Sequence, residues 1–187
     1  AFRAILNPGD EVLVPEPCYV SYAPCVLFAG GTPVPVPTSA ADGFKVQADN
    51  LSAYITPKTK AILLSYPTNP TGAVMGRQEL QDVVDVAIAN DLYILSDEIY
   101  DRLSYDAPHV CVPSLAGAKE RTILLNGFSK AYAMTGWRVG YVCAPAPIIE
   151  AMMKIHQYTM LCAPITSQIA ALEAIRNGER DVTDMVE

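Results

Sequence analysis

Between residues 77 and 90 the apolar side chains Leu80, Val83, Val84, Ala87 and Ile88 recur at the i, i+3, i+4, i+7, i+8 spacing of one helical stripe. This predicts an amphipathic helix over 77–90. Short β-branched runs predict strands at 11–14, 32–36, 60–65, 92–96, 122–126 and 138–143, with further helices at 19–29, 50–55, 148–158 and 164–176. Such alternation of strands and helices signals crossover connections, and hence an α/β fold with a mostly parallel central sheet. The prolines fall at strand ends and turns, so they punctuate the periodic segments without breaking them. Residues 1–6 read as the last turns of a helix stopped by Asn7-Pro8-Gly9, with no cap in front, so the chain is expected to be a fragment. After the helix at 164–176 come Asn177-Gly178 and an acidic segment.

At 187 residues, 51% hydrophobic and 18% charged, the chain has the makings of one core-rich domain and none of the composition of disorder. Its net charge of -7 has the wrong sign for a surface that binds nucleic acid phosphates. The cysteines Cys18, Cys25, Cys111, Cys143 and Cys162 are odd in number and lack paired C-x-x-C spacing, so neither a metal site nor a disulfide framework is expected. They read as reduced, mostly buried thiols of a cytoplasmic protein. No stretch has the character of a bilayer-spanning helix, and a soluble protein with no membrane partner is expected.

In open α/β sheets ligands bind outside the carboxyl ends of the strands, so the residues that follow each strand are where chemistry should be sought. Those segments are Pro15-Glu-Pro-Cys-Tyr19, Tyr66-Pro-Thr-Asn-Pro-Thr-Gly72, Asp97-Glu-Ile-Tyr100 and Gly127-Phe-Ser-Lys130. Asp97-Glu98 at the end of an apolar strand imitates the acidic pair of a nucleotide hydrolase. That chemistry also needs a glycine-rich phosphate cradle, and the sequence has neither G-x-x-x-x-G-K-[ST] nor G-x-G-x-x-G. Gly127-Phe-Ser129-Lys-Ala131 imitates a nucleophile elbow, yet the only carboxylate between Ser129 and His156 is Glu150, on the same predicted helix and on a different face from His156.

A third reading uses all the strand ends together. Asn69-Pro-Thr-Gly72, Asp97-x-x-Tyr100, Ser129-Lys130 and Arg138, in this order, resemble the fold-type I pyridoxal-phosphate enzymes, specifically the class I/II aminotransferases of the aspartate and aromatic type. Taken singly, each residue has an ordinary explanation as a turn, a cap or a surface ion pair. Four agreeing segments do not. The resemblance runs from Asn7-Pro-Gly-Asp-Glu-Val to Ser129-Lys-Ala-Tyr-Ala-Met-Thr-Gly-Trp-Arg-Val-Gly140. It implies a three-layer α/β/α large domain of the pyridoxal-phosphate transferase kind over 1–187.

The resemblance also implies roles. Lys130 would form an imine with the aldehyde of pyridoxal 5′-phosphate and then carry protons as general base. Asp97 would sit beside the ring nitrogen and keep it protonated, while Tyr100 and Asn69 would hydrogen-bond the phenolic oxygen. Arg138 and Ser129 would hold the phosphate, and Tyr19 would stack on the ring. Lys130, Asp97 and Tyr100 are thus the expected catalytic residues. The turns at Glu16-Pro17 and Asn69-Pro70 are expected to contain a cis bond at one or both prolines.

Two parts of the family's site are missing from the pattern: the small-residue phosphate loop upstream of residue 1, and the small domain with its arginine for the substrate carboxylate. The implied whole is a homodimer acting on an amino acid and a 2-oxo acid. C–S β-lyases, decarboxylases and non-catalytic domains of transcription regulators share the constellation. Transamination ranks first because Ala131-Tyr-Ala-Met-Thr-Gly-Trp137 is most similar to the aspartate and aromatic subgroup.

Overall fold

The computed structural model describes residues 1–105 and 107–186. Six strands form one sheet, β1 (Glu11–Glu16), β2 (Thr32–Pro37), β3 (Thr59–Ser65), β4 (Tyr93–Asp97), β5 (Thr122–Gly127) and β6 (Gly140–Cys143), in the spatial order β2-β1-β3-β4-β5-β6. All neighbours are parallel except β5 and β6. The expected strands are all present, and their ends differ from the predicted ones by two residues at most.

Period-two alternation assigns each strand's side chains to two apolar layers. Leu13, Val36, Ile62, Leu64 and Ile94 pack on one face with Leu80, Val83, Val84 and Ala87 of α4 (Arg77–Ala89) and Leu51 of α3 (Ala48–Ser52). Val12, Val14, Ala61, Leu63, Leu95 and Ile123 pack on the other with Phe2 of α1 (Phe2–Ile5), Val26 of α2 (Tyr22–Phe28) and Ile148 of α5 (Ala146–Thr159). Helices thus cover both faces, which makes the three layers. The prolines of Thr-Pro-Val-Pro-Val-Pro are tolerated because β2 lies at the sheet edge, where a missing N–H breaks no ladder.

Several expectations change in detail. The helix predicted from 19 begins at Tyr22, because Tyr19 opens a turn in which its carbonyl accepts the Tyr22 N–H. Arg138, expected to open the last strand, instead has φ 52° and caps a short 3₁₀ turn, so β6 starts at Gly140. Past α6 (Ile165–Asn177) the acidic segment forms a further helix, α7 (Glu179–Val186), which buries Val182. The cysteines are not mostly buried. Cys25, Cys143 and Cys162 are exposed, because they stand on the outer side of α2, on an edge strand and in the α5–α6 turn, while Cys18 and Cys111 are half-buried. Glu16-Pro17 and Asn69-Pro70 are both cis, as is Tyr66-Pro67.

At the start of α4, Glu79 accepts the Gly76 N–H at 2.7 Å and the Lys45 ammonium at 2.8 Å. The Lys45 hydrogen bond, helped by that N–H, holds the Glu79 carboxyl below its ordinary 4.5. A folded-state value below the unfolded one stabilises fully above the unfolded value and fades as pH falls through the folded value. The pair is partly exposed, so Glu79→Gln should cost about 0.5–1 kcal/mol at pH 7. Urea unfolding at pH 7 and pH 3 checks this, with the difference expected to shrink at pH 3.

Candidate active site

Strand order reverses between β1, which leads outward to β2, and β3, which leads through β4 to β5. The carboxyl ends beside such a reversal leave a crevice. Here it is a cavity of about 350 Å³, and Tyr19, Asn69, Asp97, Tyr100, Ser129, Lys130 and Arg138 all line it. The seven residues expected to bind the cofactor therefore meet at one place, although their segments follow β1, β3, β4 and β5.

Asp97 ends β4 and points into the cavity floor. Its Oδ1 accepts the Ile99 N–H at 3.2 Å, and its Oδ2 lies 2.9 Å from the hydroxyl of Tyr22, which is also 3.0 Å from Ser65 Oγ. The single Tyr22 proton goes to the carboxylate, the stronger acceptor, and leaves the Ser65 hydroxyl to donate to Tyr22. Burial raises the Asp97 carboxyl above its ordinary 3.8, while the Tyr22 and Ile99 donors pull it back. Tyr22 is raised in turn, first by burial and then by the charge of Asp97. Sequence reading passed over Tyr22 and Ser65. Each alone reads as core packing, and Tyr22 meets Asp97 across 75 positions of chain and Ser65 across 43.

On the other side of the cavity the Asn69 amide donates to the Tyr100 hydroxyl at 3.4 Å, and Lys130 Nζ stands 5.4 Å from the centre of the Tyr100 ring. Lys130 follows β5 through a close approach that only glycine allows. A Cβ on Gly127 would lie 3.0 Å from the Gly140 Cα, and one on Gly140 would lie 2.9 Å from the Asn126 carbonyl oxygen. This pair draws β5 against β6 and so brings Ser129-Lys130 towards Arg138. Arg138 is exposed, and its Nη1 donates to the Thr135 carbonyl at 2.7 Å, which folds the guanidinium back over its own turn. Tyr19 stands at the rim, 45% exposed, edge-on to Tyr22 at 5.7 Å.

Two rival chemistries do not survive this geometry. Glu98 turns away from Asp97 into the opposite face and is 2% exposed, so the two carboxylates do not share a cation. Ser129 lines the central cavity, whereas His156 lines a separate hollow beside Phe2 and Phe28, so they form no dyad.

Among the described residues, no basic side chain lies within 4.0 Å of the Asp97 carboxylate, and none of the ion pairs involves Lys130 or Arg138. The cavity is thus lined by a half-buried carboxylate, a primary amine, a guanidinium and a hydroxyl. That donor set fits a flat cationic ring that carries an aldehyde and a phosphate.

A family model described as aminotransferase class I and II matches residues 1–187. The chain is 47% identical over 175 residues to an aspartate aminotransferase of Pyrococcus abyssi, covering 93% of this chain and 45% of that one. It is 46% identical over 173 residues to aromatic-amino-acid aminotransferase 2 of Thermococcus litoralis, covering 92% and 44%. The structure superimposes on an aromatic aminotransferase from Pyrococcus horikoshii with a TM-score of 0.95 and 46% identity, over 99% of this chain and 49% of that one. The chain therefore spans about half the length of the relatives it matches.

Proposed function

The chain belongs to the class I and II aminotransferases, and we propose that it is the cofactor-binding large domain of a pyridoxal-phosphate-dependent transaminase, acting on an amino acid and a 2-oxo acid in amino acid metabolism. The observation that carries this reading is the juxtaposition, in one cavity, of Lys130 with the half-buried carboxylate of Asp97, which has no cationic neighbour within 4.0 Å among the described residues. When bound, pyridoxal 5′-phosphate supplies an electron sink for the carbanion left when an amino acid loses its α-proton.

The protein's part is to bind, orient and move protons. Lys130, a primary amine lining the cavity, would be the residue to hold the cofactor through its aldehyde and, as a free amine, the base that moves a proton at the substrate α-carbon. Asp97, held by Tyr22 and Ile99, presents negative charge to the ring nitrogen and keeps it protonated. The Tyr100 and Asn69 side chains would hold the phenolic oxygen, where a donated hydrogen bond favours the deprotonated form. Arg138, whose Nη1 now donates to the Thr135 carbonyl, and the Ser129 hydroxyl would hold the phosphate, which as a charged acceptor is a stronger partner than a neutral carbonyl. Tyr19 covers one face of the ring with apolar surface.

The full-length protein is a homodimer in this reading. Support comes from apolar side chains at the α5–α6 turn that no described residue covers: Tyr158 is 89% exposed, Leu161 74% and Ile165 67%. A cytoplasmic location is part of the same reading, supported by five free cysteines; among the described residues no helix is long and apolar enough to cross a membrane. The test is to mix full-length protein with amino acids and 2-oxoglutarate and follow glutamate. Glutamate formed in step with loss of the amino donor is the expected result. Release of pyruvate or ammonia without glutamate would favour a lyase instead.

A further inference from the structure

Glu98 is the one ionisable residue among the described fully buried ones, and it does not line the cavity. Alternation along β4 sends it to the face opposite Asp97, beside Ser96. Its Oε1 accepts the Ser96 hydroxyl at 3.0 Å and the Val112 N–H at 2.9 Å, and its Oε2 lies 2.6 Å from His109 Nε2. A carboxylate only accepts, so Nε2 carries the proton of that bond. Burial and the Glu98 charge push the neighbouring Cys111 thiol up to about 12, so it stays a neutral thiol. Taking a carboxylate out of water costs several hydrogen bonds' worth of stability unless its partners replace them, and here every lone pair in use is matched.

What these bonds tie down is the segment between residues 98 and 112. One end is fixed by the Asp101 N–H on the Glu98 carbonyl at 3.0 Å, and the other by the Val112 N–H and His109 on the Glu98 side chain. Between them Arg102, Tyr105, Ala107 and Pro108 are exposed, Tyr105 at 73%. Yet the segment carries Tyr100 to the cavity, and Asp101, whose Oδ2 takes the Asn126 amide at 3.0 Å. Among the described residues the Tyr100 hydroxyl has one hydrogen-bond partner, Asn69 at 3.4 Å, so its placement depends on the anchor behind it.

We propose that the buried Glu98–His109 pair is a positioning device for Tyr100, closing the loop that aims this phenol at the cofactor's phenolic edge. The inference rests on the functional reading above. Neither residue is catalytic, since neither lines the cavity.

The experiment uses the full-length protein loaded with pyridoxal 5′-phosphate and reads the pH midpoint of its visible absorbance, a signature that a merely structural role leaves in place. His109→Ala should raise the midpoint by about one unit, a tenfold change in proton affinity, because the phenol no longer favours the deprotonated form. His109→Gln, which keeps an N–H donor near the same point, should restore most of that shift. In a Tyr100→Phe background, His109→Ala should add nothing, since its effect runs through a hydroxyl already removed. An unmoved midpoint in His109→Ala, or additive shifts in the double variant, overturns the inference. Should His109→Ala fail to yield folded protein, Glu98→Gln, which keeps the side chain's size, reads the same midpoint with the same two outcomes. A wild-type protein that shows no visible cofactor band overturns the functional reading as well, which separates the two failures.

Discussion

Lys130→Ala should lower transamination by the full-length protein about 10⁴-fold or more, because one amine serves both as covalent tether and as proton carrier. No neighbour can replace it. Among the described residues lining the cavity, the only other basic side chain is Arg138, whose guanidinium stays protonated at any working pH and so cannot serve as a base. The variant should still fold, since Lys130 is half-buried and forms no ion pair among the described residues. Borohydride treatment of the loaded wild type should fix the cofactor to the peptide that contains Lys130. Label recovered on a different lysine would sink the assignment. Added small amines should return part of the proton-transfer rate to Lys130→Ala, because they can supply the base but not its tethered position.

The parts of this site that are legible in the sequence are the ones fixed by local rules. Strand ends are marked by β-branched runs, and each run is followed at once by its polar residue, so the pattern alone puts Asn69, Asp97, Tyr100 and Lys130 at one sheet edge. The stripe of α4 is legible for the same reason, since its period is written in consecutive residues. Tyr22 is not. Its partner Asp97 lies 75 positions away, and nothing near Tyr22 distinguishes a hydroxyl held by a carboxylate from one held by water. Glu98 reads with Asp97 as an acidic pair because adjacency in sequence is visible, while the opposite facing of neighbours on a strand becomes decisive only once the two faces have different occupants. The left-handed turn at Arg138 is hidden because a positive φ at a long side chain has no sequence mark of its own; glycine, which would supply one, stands two positions away on either side, at Gly136 and Gly140.

Asp97→Asn should separate stability from function. Activity of the full-length protein should fall by about 10²–10³-fold or more, the scale expected when a preorganised charge facing a reacting group is removed. Stability of the cofactor-free protein should move the other way. Burial holds the Asp97 carboxyl above its ordinary 3.8 against the pull of Tyr22 and Ile99, so the folded state binds this proton more tightly than the unfolded chain does. With a raised folded-state value, wild-type stability falls as pH climbs from the unfolded value through the folded one, because the carboxylate must then ionise in a partly desolvated place. Asparagine never ionises and still offers an oxygen to the Ile99 N–H. Its stability relative to wild type should therefore grow over that rise in pH and level off above it. Loading with cofactor should reverse the order, since a cation beside residue 97 rewards the charge that burial penalises. Denaturant unfolding of both proteins at pH 4 and pH 8, with and without pyridoxal 5′-phosphate, reads all of these signs. A variant less stable than wild type without cofactor, by the same margin at both pH values, would show that Asp97 is a structural anchor and not a charge held in reserve for a ligand.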